Sequence, residues 1–245
     1  MAGIRPPIAI TALCALIVGA IAAGNASAAQ RGVTCAPTGT GFSEAHCVTA
    51  TPGSGSFSHV NIANGVATGL TGSNENTAVE TTTFSVLKLK GTLVGIATEI
   101  SCLNAWGTGE LTNAASSVSA TSTFEFSTCV VLLPIAKNCV VKEPIVTEKL
   151  AATTVGQAAG NVKISAAGAT NIANITLEEC EIKALNQSWP LTGSFTATAT
   201  GATLTTTEAA VTTQNTLKWG GVKAGLEGAL TISMSGEGAN PITLT

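Results

Sequence analysis

Three glutamates, Glu178, Glu179 and Glu181, form the densest acidic cluster of the chain. Two carboxylates about 5 to 9 Å apart can serve a glycoside hydrolase as its working pair. On a strand, however, Glu178 and Glu179 project from opposite faces, so a charged strand end is the simpler account. The histidines, His46 and His59, could each activate a serine. No G-x-S-x-G elbow accompanies them, and with no aspartate in the chain only Glu44 stands near enough to orient His46. Trp106, Trp189 and Trp219 lie beside Gly or Pro near predicted strand ends. Exposed there, they would stack on sugar rings as in a carbohydrate-binding module; buried, they would fill a β core, the commoner fate of large aromatics.

Composition narrows the field further. The missing aspartate also removes EF-hand loops and Asp-based phosphoryl-transfer sites. Charged residues make up 10% of the chain, well below the roughly 25% of ordinary soluble domains. No basic run exists, so nucleic acid and anionic membrane surfaces are poor partners. His46-Cys47 is not a metal pair, because adjacent ligands point apart on a strand and no C-x-x-C partner follows. The sequence therefore assigns no catalytic residue, no metal and no cofactor.

The elements that must position these side chains begin after a leader. Arg5 precedes an apolar run, Ile8 to Ala23, that ends in Ala26-Ser27-Ala28. This is a secretory signal with an A-x-A cleavage site, about sixteen apolar residues long and short of the roughly 20 that span a bilayer. Cys14 lies within that run and follows Leu13, so it is not a lipobox cysteine. WPLTG, Trp189 to Gly193, stands mid-chain and is not a wall-anchoring signal. Loss of Arg5 takes the formal charge from −3 to −4. The expected product is extracellular, cell-wall associated at most, with no membrane span in its mature form.

The chain has 38 threonines and 26 glycines, and past the leader they punctuate short alternating segments. Thr92 to Cys102 places Val94, Ile96, Ile100 and Cys102 on one face, and Phe124 and Phe126 form an inward pair. Ile172 to Cys180 turns Ala173, Ile175 and Leu177 to one side. Ser194 to Thr207 reads as two strands broken at Gly201-Ala202, with threonine rows 196/198/200 and 203/205/207. Leu226 to Ser233 and Pro241 to Leu244 complete the set. The expected fold is all-β, an antiparallel β-sandwich or barrel of one or two lobes. Its parts are a signal peptide (1–29), a disulfide-looped segment (30–55) and a β-rich domain (56–245), with a lobe boundary near 113–120 or 151–160.

In an oxidising compartment, the six cysteines beyond Cys14 read as disulfides, and six allow fifteen pairings. Proximity in sequence favours Cys35–Cys47 and Cys129–Cys139, leaving Cys102–Cys180. Against the last pair, Cys102 sits in the apolar phase of its strand and Cys180 in the polar phase of its own.

The stretch GFSEAHC (Gly41 to Cys47), the later Gly55-Ser56-Phe57-Ser58-His59-Val60, the strand ending in Cys102 and the F-x-x-C of Phe126 to Cys129 carry a resemblance. So do Cys139 with Ile145 and Leu150, and the strand ending in Cys180. Together they resemble uncharacterised secreted β-rich six-cysteine proteins of high-GC actinobacteria. That resemblance implies secretion and a β fold, and no activity. The sequence thus points to a secreted, non-catalytic structural or interaction protein, with cell-wall glycan or a surface protein as its partner. A carbohydrate-binding module and a glutamate-pair hydrolase are the alternatives. Self-association through sheet edges is a further expectation for an all-β chain with few charges.

Overall fold

The computed structural model describes residues 32–43, 47, 50–75, 87–114, 117–134, 138–154, 161–200, 203–206, 216–234 and 242–244. Residues 1–31, Glu44 and His46 lie outside them. Along the chain run β1 (Gly32–Ala36), β2 (Ser58–Asn61), β3 (Thr68–Glu75), β4 (Leu87–Leu93), β5 (Ile96–Asn113) and β6 (Val118–Leu133). Next come β7 (Val140–Val141), β8 (Ile145–Val146), β9 (Leu150–Thr154), β10 (Asn161–Ala166), β11 (Asn171–Glu178) and β12 (Ser188–Thr192). The last are β13 (Ser194–Thr200), β14 (Thr203–Thr206), β15 (Lys218–Trp219), β16 (Val222–Lys223), β17 (Gly225–Met234) and β18 (Ile242–Leu244). The expected all-β antiparallel fold is what the chain adopts, and a single 3₁₀ turn at Lys183–Leu185 is the one helical element among the described residues.

The large sheet closes on itself. Antiparallel ladders run β3–β5–β6–β9–β10–β13–β14–β17 and back to β3. Strand β4 shares the stave of β3: both bridge β5 to β17, β4 at Ile96–Cys102 and Gly225–Gly228, β3 at Asn104–Leu111 and Thr231–Met234. A closed barrel leaves no edge in this ring. Inward positions are apolar or small, such as Leu70, Phe126, Leu150, Val162, Ile164, Phe195, Ala197 and Leu226. Outward positions carry exposed Thr108, Glu110, Thr123, Glu125, Thr153, Thr198, Thr205 and Glu227. A lipid-facing barrel has the opposite polarity, so this wall faces water.

The hairpin β5–β6 is twice as long as its neighbours need, and it changes face midway. Below the switch, Ala105, Gly107 and Leu111 of β5 and Val118 and Phe126 of β6 point inward. Above it, Thr98, Ile100 and Cys102 of β5 and Cys129 of β6 do so. The change falls at Thr128, whose φ of 55° lies in the left-handed region that threonine rarely adopts. Three contacts hold it there: Asn104 Nδ2 donates to Thr128 Oγ1 (3.1 Å), and the Glu143 carboxylate accepts the N–H groups of Thr128 (2.9 Å) and Cys129. The expected face of Ile96, Ile100 and Cys102 is therefore real, while Val94 turns away at the β4–β5 bend with φ of 45°.

The upper half of the hairpin and β4 pack on a second, five-stranded sheet ordered β16–β15–β12–β11–β7. Ala173, Ile175 and Leu177 are buried on one side of β11, as the alternation predicts. Here Trp219, Leu89, Leu93, Ile100, Leu177, Leu185 and Leu217 are almost wholly buried. Gly220 sits at φ of 59°, and a Cβ there would stand 2.6 Å from the Trp189 ring and 2.9 Å from Leu93. Only glycine meets both demands.

A third sheet, β18–β1–β2, is tied to the barrel by one buried side chain. Asn113 accepts the N–H of Gly32 (2.8 Å) and donates Nδ2 to the carbonyls of Gly32 (2.9 Å) and Ile62 (2.8 Å). Beside it Ile62, Leu70, Leu111 and Val118 form a small separate cluster. Within 113–120, Asn113 pairs with Val118, and Ser119 and Ala120 continue the β5–β6 ladder; residues 115–116 and 155–160 are not described.

Disulfide Cys35–Cys47 forms as expected. The other two pairings differ from expectation: Cys102 joins Cys129, and Cys139 joins Cys180. Ladder register decides both. Cys102 and Cys129 are directly opposite across β5 and β6. The β7–β11 ladder, with Val140 opposite Glu178, brings Cys139 to Cys180. Three disulfides fit an oxidising, extracellular setting.

Candidate functional site

Side-chain size inside the barrel determines what it holds. In β5 the inward residues Gly107 and Gly109 lack side chains, and Gly72 lies directly opposite Gly107 on β3. A Cβ at Gly107 would collide with the Phe124 ring and the Thr123 carbonyl, so glycine lets that ring lie against the wall. Phe124 and Phe126 stand with centroids 6.3 Å apart, the inward pair expected from the sequence. Ala120, Ala152 and Ala197 supply further short side chains. The result is an apolar cavity of about 120 Å³.

Four residues of the second sheet, Ile172, Ala173, Ile175 and Leu191, form one wall of that cavity. They are held against the barrel by the segment around Thr147. The N–H of Thr147 donates to the Phe124 carbonyl (2.8 Å), the Phe124 N–H donates to Thr147 Oγ1 (2.8 Å), and Glu148 N–H donates to the Ile172 carbonyl (2.8 Å). No ionisable side chain lines the cavity among the described residues. Hydroxyls are few: Thr147 is engaged with Phe124, and Thr206 Oγ1 lies 3.3 Å from the carbonyls of Thr196 and Leu226. Thr108 points outward, and Ser122 points in.

The sequence-derived candidates sit elsewhere and apart from one another. Trp189 and Trp219 are buried, at 9% and 0% exposure, the commoner fate of large aromatics, which removes both from the glycan-stacking alternative. The Trp189 indole N–H donates to the Leu185 carbonyl (3.1 Å), and both rings belong to the dense core. Trp106 alone is exposed, at 58%, on the outer barrel face opposite Glu125.

The glutamates are dispersed around the Cys139–Cys180 bridge. Glu178 pairs with Lys142 (3.5 Å), Glu181 accepts from Asn138 Nδ2 (3.2 Å), and Glu179 occupies an exposed bend with φ of 57°. None of them reaches the barrel cavity. His59 lies on β2, its ring 4.4 Å from that of Phe42 and its Nε2 3.3 Å from the Cys47 carbonyl. That position sets it against the Cys35–Cys47 bridge, opposite Cys35 across the β1–β2 ladder. The threonine rows do align, with Thr198 opposite Thr205 and Thr200 opposite Thr203, but on a curved barrel wall; Thr207 is not described.

Sequence reading missed Ser122, Phe195 and the inward glycines. The pattern Gly107-x-Gly109 facing Phe124-x-Phe126 was the available clue to a wall with space behind it. No family model, no curated protein and no solved structure matches the chain.

Proposed function

We propose that this chain is a secreted, non-catalytic binding protein whose barrel interior takes a small, neutral, apolar ligand. The carrying observation is the cavity itself: inside a water-facing barrel, lined mainly by Leu, Ile, Phe, Ala and Gly, and without an ionisable group in its described lining. Burial of a carboxylate or ammonium there would have no partner, so the site favours uncharged guests. General acid or base chemistry also needs a titratable group within reach of the substrate. The leader and the six paired cysteines support export, as does the resemblance to secreted six-cysteine proteins.

The direct test is partition of benzene from a sealed headspace into a solution of the mature, oxidised protein. Saturable uptake of one equivalent is expected, since an apolar cavity of comparable size, roughly 150 Å³, stays dry and takes benzene. Uptake no greater than that of the reduced, urea-unfolded chain would sink the reading.

A second reading has one specific observation behind it. Trp106 offers a bare indole amid Thr and Glu side chains, a surface on which a sugar ring stacks. Because Trp189 and Trp219 are buried, acrylamide-accessible emission reports Trp106. Co-sedimentation with isolated cell walls that shields this emission would support a glycan-facing role; free accessibility in the presence of walls would remove it.

A further inference from the structure

Three hydroxyls face the otherwise apolar cavity, and one of them bears on what it binds. Ser122 lies on β6 between Gly109 of β5 and Leu150 of β9, both of which also line the cavity. Its neighbours along the strand, Ala120 and Phe124, face the same space. The other inward hydroxyls, Thr147 and Thr206, are engaged with backbone groups. The Ser122 hydroxyl makes no hydrogen bond with any described residue. Gly109 keeps the space beside it open, since a Cβ there would meet the Thr121 carbonyl and stand 2.8 Å from Ser122 Cβ.

An inward hydroxyl without a partner among the described residues favours a guest that supplies one. We infer that the ligand is a one-ring molecule with a single hydrogen-bonding group, of the phenol or cyclic-alcohol class, and that this group meets Ser122. The cavity volume of about 120 Å³ limits the apolar part to a single ring or a few carbons. Phe124 and Phe126 on one strand and Phe195 on another line it, and aromatic rings suit an aromatic guest. Ser122 is thus a specificity residue and takes no part in any reaction. The inference rests on the barrel interior being the ligand site.

Phenol and benzene separate the two ideas, because they share a ring and differ in one hydroxyl. Calorimetric titration of the mature protein and of Ser122→Ala with each compound gives a ratio of affinities in each protein. Taking the ratio between proteins removes the different hydration of the two guests. The phenol-to-benzene ratio is expected to fall roughly fivefold in Ser122→Ala, the size of one neutral hydrogen bond, with benzene affinity unchanged. Unchanged benzene binding also shows that the variant retains its cavity. In the unmodified protein, nuclear Overhauser contacts should link phenol ring protons to the Ser122 Hβ protons. If benzene and phenol bind but the ratio is the same in both proteins and no such contact appears, the role of Ser122 is overturned and the binding site stands. If neither compound binds, the binding reading fails as well.

Discussion

The two halves of the β5–β6 hairpin serve cores of opposite character. The upper half and β4 face Trp219, Leu177, Leu185 and Leu217, packed with almost no exposure. The lower half, with its own Gly107, Gly109 and Ala120, shares its interior with Gly72, Ala152 and Ala197 and leaves a void. The same strands thus line a solid part and a hollow part of one continuous core, and the hollow part is where the inward residues are short. Hydrophobic burial holds both together, but only the hollow half has room for a guest.

The comparison can be broken most forcefully at its dense end. Trp219→Ala should cost about 3–5 kcal/mol in urea unfolding, because close-packed neighbours cannot collapse into the gap. Phe195→Ala should fall at or below the bottom of that range, since a ring beside a void gives up fewer contacts. Equal losses at the two sites would deny that the cores differ in packing.

Next in size is the staple at the junction. Replacing Cys102 and Cys129 together with alanine should cost about 2–4 kcal/mol. It should also split urea unfolding into two transitions, read by tryptophan emission for the dense core and by benzene uptake for the barrel. A single, merely shifted transition would mean that the halves are joined by packing alone.

One substitution made twice gives the sharpest contrast. Ala152→Leu should fill the barrel and stabilise it by about 1 kcal/mol while abolishing benzene uptake. Ala224 is buried beside Gly91 and Trp219, and Ala224→Leu should lose about 1–3 kcal/mol by overpacking. Thermal unfolding of the two variants gives opposite signs if the account holds. The smallest effect is expected at Glu143→Ala, about 1 kcal/mol, through loss of the acceptor for Thr128 and Cys129 N–H. Hydrogen exchange at those two amides should rise while the rest of β6 stays protected.

Local features of this fold were legible in the sequence, and those that depend on strands meeting at a distance were not. Alternation exposed the faces of Ile100 and Cys102, of Ile175 and Leu177, and of Phe124 and Phe126, since a strand's period of two is written into it. Gly201-Ala202 marked the break between β13 and β14. Closure of the barrel left no such trace, because it depends on β3 and β4 sharing one stave between β5 and β17. Disulfide pairing misled for the same reason: register across a 27-residue separation brought Cys102 to Cys129, where proximity in sequence favoured Cys139. The face switch at Thr128 depends on Glu143, fifteen residues away. The cavity is the least legible of all, being a volume left by short side chains on strands scattered along the chain.

The central claim is that the barrel is hollow and receives an apolar guest while the neighbouring core is full. Methyl-resolved NMR of the mature, oxidised protein during benzene titration tests it in one experiment. The account predicts saturable shifts at Leu150, Ile164 and Leu226 inside the barrel, with Leu93, Leu177 and Leu185 of the dense core unmoved. Shifts spread evenly over both groups, or none at any benzene concentration, would contradict it.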